Sequence, residues 1–183
     1  MKRYLLLFIL INFKSIIAQD NNLPIILDTD ANNELDDQHA LAYLFFNEDV
    51  FDIKGITVNT TYNGGDINKH YEEAIRIADL CNVSGKYPIL KGANSNFNQL
   101  RPQVQAKKFD GKTAVDFIIQ QAHMSKEKKL VIVAIGKLTN VALAIEKDPT
   151  IKDKIRLVWL GSNYPEPGEY NQVNDISSLN YLL

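Results

Sequence analysis

Two stretches late in the chain, LVIVAIG from Leu130 and IRLVWLG from Ile155, are apolar at nearly every position rather than at every second one. A strand with one wet face alternates, so runs of this kind belong to strands covered on both faces, the condition of a parallel sheet between helices. Shorter apolar runs at 24–27, 53–58 and 87–90 precede those at 130–135 and 155–160. Between them lie segments of helical period. One runs from about Asp36 to Phe46, and a second carries Ile67, Tyr71, Ala74, Ile75, Ala78 and Cys81 at three-to-four spacing. Residues 112–122 and 138–146 supply two more, with Ala114, Phe117 and Ile118, then Val141, Ala142 and Ile145, as inner faces. Strict alternation of strand and helix predicts an α/β fold: a doubly wound, mainly parallel sheet with helices on both faces.

The N-terminus is set apart from this pattern. MKRYLLLFILINFKSIIAQ has a basic start, an apolar centre and a small residue, Ala18, where cleavage could fall. That is the form of a secretory signal peptide over residues 1–18, too short to span a bilayer comfortably. The expectation is an exported protein, periplasmic or secreted, with one domain over 19–183 and no stable membrane association after cleavage. A formal net charge of −2 without a basic stripe argues against nucleic acid as a partner. The single cysteine, Cys81, excludes an intrachain disulfide and reads as a buried, inert thiol in a helix. The polar stretch 94–108 reads as a surface loop.

Ligands of open α/β sheets bind beyond the carboxyl ends of the strands. Of the loops that occupy those positions, the first stands out: LDTDANNELDDQHALA holds Asp28, Asp30, Glu34, Asp36 and Asp37 directly after a buried strand. Carboxylates so close repel one another unless a cation or donors compensate, and a hard divalent ion such as calcium answers that need with oxygen ligands. An EF-hand is excluded, because Asn33 stands where that loop requires Gly and His39 where it requires Glu. A phosphatase with an aspartyl nucleophile would account for Asp28 and Asp30 but leave Asp36 and Asp37 unused. Helix capping and loop solvation account for one or two acids and poorly for five.

These residues resemble the N-terminal motif of the inosine-uridine-preferring nucleoside hydrolases: an apolar strand, Asp-x-Asp, a short turn, and Asp-Asp entering a helix. GKLTNVALAIEKDPTIKDKIRLVWLGS is similar to that family's Gly-Pro-Leu-Thr-Asn segment, GSNYPEPGEYNQVND to its Asn, Glu-x-Asn and following Asp, and GITVNTTYNGG, more loosely, to its Gly-Asn turn. The resemblance covers nearly all of residues 23–183 and implies a calcium-dependent N-glycosidase acting on a small-molecule nucleoside or other ribosyl substrate. It implies that Asp30 binds Ca2+ and acts as general base toward water, that Asp37 is a second carboxylate ligand, and that Thr139 offers its backbone carbonyl. Asp28 would support the site by accepting hydrogen bonds. Asp36, Asn163, Glu169 and Asn171 would grip the ribose, joined by an Asn of the second loop, with Asn63 chosen over Asn59 from its distance to the helix containing Ala74. A homo-oligomer is compatible with this reading.

The chain departs from the family pattern twice. Between Asp30 and Asp36 stands ANNEL, two residues longer than the family's usual Pro-Gly turn and with Glu34 added. A late His-Asp pair is also missing: His39, His70 and His123 fall on helical segments and read as surface or helix-packing residues. The expectation is a fold incomplete at its C-terminus with apolar surface uncovered, either a truncated product or a chain that needs a partner to complete its fold; the alternative to hydrolysis is a module that binds calcium and a ribosyl ligand without turnover, or an inactive fragment.

Overall fold

A computed structural model describes residues 22–163 and 168–183. The expected signal peptide, residues 1–18, lies outside the described residues, as do 164–167. Five strands, β1 (Leu23–Thr29), β2 (Phe51–Val58), β3 (Ile89–Lys91), β4 (Leu130–Ala134) and β5 (Ile155–Trp159), pair in parallel in the order β3-β2-β1-β4-β5. The helices are α1 (Leu35–Phe46), α2 (Ile67–Leu80), α3 (Phe97–Leu100), α4 (Lys112–Met124), α5 (Thr139–Lys147), α6 (Tyr170–Asn174) and α7 (Ile176–Leu182). This is a doubly wound α/β fold.

Period-two alternation in β1 divides the core. Ile25 and Leu27 pack against Leu41, Leu44 and Phe45 of α1 and Ala74 of α2. Ile26, one residue between them, joins the opposite cluster with Ile118 of α4 and Val141 of α5. Each such aliphatic side chain contributes about 1.5–3 kcal/mol by leaving water. On the α1 side the cover stops short of the β5 edge. Val158 and Leu160 remain 49% and 55% exposed, and an apolar cleft of about 510 Å³ opens among Tyr43, Val131, Val133 and Val158.

Three expectations from the sequence are corrected. The stretch 94–108 is no surface loop: Phe97 and Leu100 of α3, with Val104 beyond it, are buried at 1%, 4% and 3% exposure. Asn96 and Gln99 close a capping box that starts this one-turn helix. The third strand begins at Ile89 rather than Tyr87, whose ring instead stacks on Phe45 at 6.0 Å between centroids. Cys81 is only half-buried, lying just past the end of α2, and partial burial raises its thiol pKa.

The strand order places the crevice. The chain runs outward from β1 through β2 to β3, then returns to the other side of β1 with β4 and β5. The helices that follow β1 and β4 therefore leave on opposite faces, and the gap between those two strand ends is where a doubly wound sheet receives its ligand. Asp28 and Asp30 lie at the end of β1, and Gly136 to Thr139 follow β4.

Candidate active site

Asp28 is completely buried on β1, opposite Thr57 of β2 in register. It accepts from Thr57 Oγ1 at 2.5 Å, Asn59 Nδ2 at 3.0 Å and Asn140 Nδ2 at 2.8 Å. Burial pushes its pKa up to about 6, against the pull of those three donors. Asn140, in the first turn of α5, also donates to Val58 O at 3.1 Å and accepts from Ala93 N at 2.8 Å. One amide thus ties β1, β2 and the segment after β3 to the start of α5. Asn140→Leu leaves Ala93 N without an acceptor in the dry core and takes one donor each from Asp28 Oδ1 and Val58 O, which keep Thr57 Oγ1 and Gly92 N. A loss of about 3 kcal/mol is expected, from three buried hydrogen bonds at roughly 1 kcal/mol each, and the midpoint of urea unfolding measures it.

Asp30 has no such donors. It is 1% exposed, and among the described residues neither carboxylate oxygen has a hydrogen-bond partner; Asn59 Oδ1 is buried and unpartnered as well. These oxygens crowd Gly136, where a Cβ would stand 2.6 Å from Asp30 Oδ1 and 2.8 Å from Asn59 Oδ1. Only a residue without a side chain leaves that space open. Asp37, in the first turn of α1, is buried and accepts from the Thr29 hydroxyl. Burial, then the Asp37 charge, pushes Asp30 up to about 8. Burial pushes Asp37 to about 7, with the Thr29 hydroxyl pulling the other way and the charges of Asp36 and Glu34 adding.

A buried acceptor without a donor is costly. Three together, two on a carboxylate and one on an amide, form a hard-oxygen set whose need a divalent cation meets. Among the described residues no three His, Cys, Asp or Glu side chains converge to hold a metal. A cation here would rest on Asp30 and Asp37 with amide, carbonyl or water oxygens to complete its shell.

The remaining sequence candidates are placed as follows. Thr139 opens α5, and its hydroxyl donates to Asp175 Oδ2 at 2.5 Å. Asp36 is exposed in the first turn of α1, and Asn63 and Asn163 are exposed on the turns after β2 and β5. Glu169 caps α6 by accepting from Gln172 N at 3.2 Å. Asn171 donates both amide hydrogens to strand-end carbonyls, Ile135 O at 2.8 Å and Leu160 O at 3.0 Å, which brackets β4 to β5. The second-loop Asn inside the carboxylate cluster is Asn59; Asn63 stands outside it.

Two further residues border the cluster: Lys137, to which the sequence attaches no expectation, and His70, which reads there as a surface or helix-packing residue. Lys137 is 3% exposed and donates to Asn96 Oδ1 at 2.8 Å and Ser95 O at 3.4 Å. Burial lowers its pKa, opposed by the charges of Asp175, Asp110, Asp30 and Asp28. Its signal in the sequence is a Lys between Gly136 and Leu138, where a turn beside a core strand has little room for an amine. His70 is wholly buried in the first turn of α2, and burial holds its pKa below the usual value.

Residues 25–181 match the family described as inosine-uridine preferring nucleoside hydrolase. An inosine-uridine preferring nucleoside hydrolase of Leishmania major is 26% identical over 76% of this chain and 48% of its own length. Among solved structures, a purine-preferring ribonucleoside hydrolase from Gardnerella vaginalis superposes with a TM-score of 0.67 at 25% identity, over 87% of this chain and 57% of that one. A plant nucleoside hydrolase does so with a TM-score of 0.70 at 21% identity, over 87% and 56%. The chain thus spans about half the length of the relatives it matches.

Proposed function

Since the chain belongs to the inosine-uridine preferring nucleoside hydrolase family, we propose that it serves calcium-dependent hydrolysis of the N-glycosidic bond of ribonucleosides, with Asp30 as general base. The observation that carries this reading is the pair of bare oxygens on Asp30, buried at the switch point beside Asp37. Water adds to C1′ of the ribose, the bond from C1′ to the base breaks, and the base leaves with the electron pair and gains a proton. Asp30 takes the proton that the attacking water loses. Burial and the Asp37 charge raise the proton affinity of this carboxylate in the metal-free fold; a bound cation would hold it ionised, the form that accepts the proton. Asp28, fixed by its three donors, keeps the end of β1 rigid.

Nucleoside hydrolases use a divalent metal, and the hard oxygens of Asp30, Asp37 and Asn59 suit calcium, which would supply a site for the ribose hydroxyls and lower the pKa of water. The transition state places positive charge on the ribosyl ring, which the carboxylates stabilise. Asp36, exposed at the start of α1, and Asn63 and Asn163, exposed on the turns after β2 and β5, are available to the sugar hydroxyls. Export of the chain is inferred from residues 1–18 alone.

A second reading is binding of calcium and a ribosyl ligand without turnover, for which the buried, unpartnered oxygens of Asp30 and Asn59 suffice. One assay separates the two. Release of free base from inosine or uridine, dependent on calcium and abolished by EDTA, is expected of the hydrolase. Calcium uptake with ribose binding and no base release would replace that reading with the second.

A further inference from the structure

The turn that carries Asp30 has no covalent device to fix its shape. Ala31, Asn32, Asn33, Glu34 and Leu35 include no proline, and the hydrogen bond from Asn33 N to Asp30 O at 2.9 Å is local to the turn. Its further support comes from the first turn of α2 and the loop before it. His70 Nδ1 accepts from Asn32 N at 3.3 Å, and the Asn32 side-chain amide donates to Gly64 O at 2.8 Å. Gly64 lies against the imidazole: a Cβ there would stand 2.1 Å from Cε1 and 2.5 Å from Nε2. The ring is therefore held between Gly64 and the Asp30–Asn33 turn, whose Asn32 lies 38 residues before it in the chain.

The burial of His70 marks it as more than a helix-packing residue. Asn68 and Lys69 beside it are exposed, whereas His70 has no exposed surface. Because Nδ1 receives an N–H, the ring's hydrogen sits on Nε2, which has no partner among the described residues. A buried polar edge left unpartnered costs stability. An apolar ring in this place would fill the volume without that cost, but it would offer nothing to Asn32 N.

We infer that His70 is a positioning residue for the metal and base site: it holds the Asp30–Asn33 turn through Asn32 and so aims the Asp30 carboxylate at Asp37. This rests on the reading of Asp30 as ligand and base. His70 touches neither carboxylate and acts only through the turn. It belongs with the outer groups that orient a metal ligand, whose loss typically weakens binding by about 10–100-fold.

Two variants of the full chain test the assignment. His70→Leu keeps bulk and removes the acceptor; His70→Asn loses bulk and keeps an oxygen near the place of Nδ1. Amide hydrogen exchange over residues 30–33 in EDTA is expected to quicken in His70→Leu and stay near wild type in His70→Asn. Calcium affinity by calorimetry should fall about tenfold or more in His70→Leu and largely recover in His70→Asn. Asn32→Ala, made on the exposed side of the bracket, should shift both readouts in the same direction and does not disturb the core. Unchanged exchange in His70→Leu and Asn32→Ala would overturn the assignment, as would equal loss of calcium affinity in both His70 variants, which would reduce the ring to packing. If the wild-type chain takes up no calcium, the functional reading falls, while the exchange difference still supports His70 as the brace of the turn.

Discussion

With Asp30 in the proposed role of base and metal ligand, Asp30→Asn should leave a folded chain whose base release is down by a factor of about 10³ or more, as loss of both functions together requires. The stability change has the opposite sign. In the metal-free protein Asp30 is a desolvated carboxylate facing a second one, so a neutral isostere removes repulsion. The new amide can also donate to Asn59 Oδ1, which lacks a donor among the described residues. Thermal unfolding in EDTA at pH 8 is therefore expected at a higher temperature than wild type, together with a calcium affinity lowered at least tenfold. A stabilised, inactive variant separates loss of chemistry from loss of fold. Base release at the wild-type rate would remove Asp30 from the role of base.

How far this was legible in the sequence depended on distance along the chain. LVIVAIG and IRLVWLG announce buried strands because an uninterrupted apolar run is a local property, and β4 and β5 lie where they indicate. The acidic crowding after β1 is equally local. The choice between Asn59 and Asn63 is not. Asp28 faces Thr57 because of the register between β1 and β2, and Asn59, two residues on, shares the Thr57 side of its strand. Spacing to α2 carries no information on that register. The segment 94–108 misled for another reason: Phe97, Leu100 and Val104 are diluted among polar residues, and one helical turn is too short for a period to emerge. The contacts of His70 and Asn171 are not legible in the sequence, because their partners, Asn32 and the carbonyls of Ile135 and Leu160, meet them only in the folded chain.

The same carboxylates set how stability should vary with pH. Asp28, Asp30 and Asp37 sit at about 6, 8 and 7 in the metal-free fold, each raised from 3.8. Between pH 4 and 8 the native chain therefore holds protons that the unfolded chain has released. Unfolding then releases protons, and the contribution of these groups to stability, complete below about pH 4, is lost as pH rises through 6 to 8. Asp30 and Asp37 repel each other, so their protons leave in steps that belong to the pair. Calcium reverses the slope, because it needs both carboxylates charged and competes with their protons. In EDTA the unfolding temperature is expected to fall between about pH 5.5 and 8.5. Calcium at 100 times its dissociation constant should add about 2.7 kcal/mol at pH 8. For a chain of this size that is about 5–11 °C, with little effect at pH 5.5. Parallel unfolding curves with and without calcium across that range would show that no cation engages the Asp30–Asp37 pair.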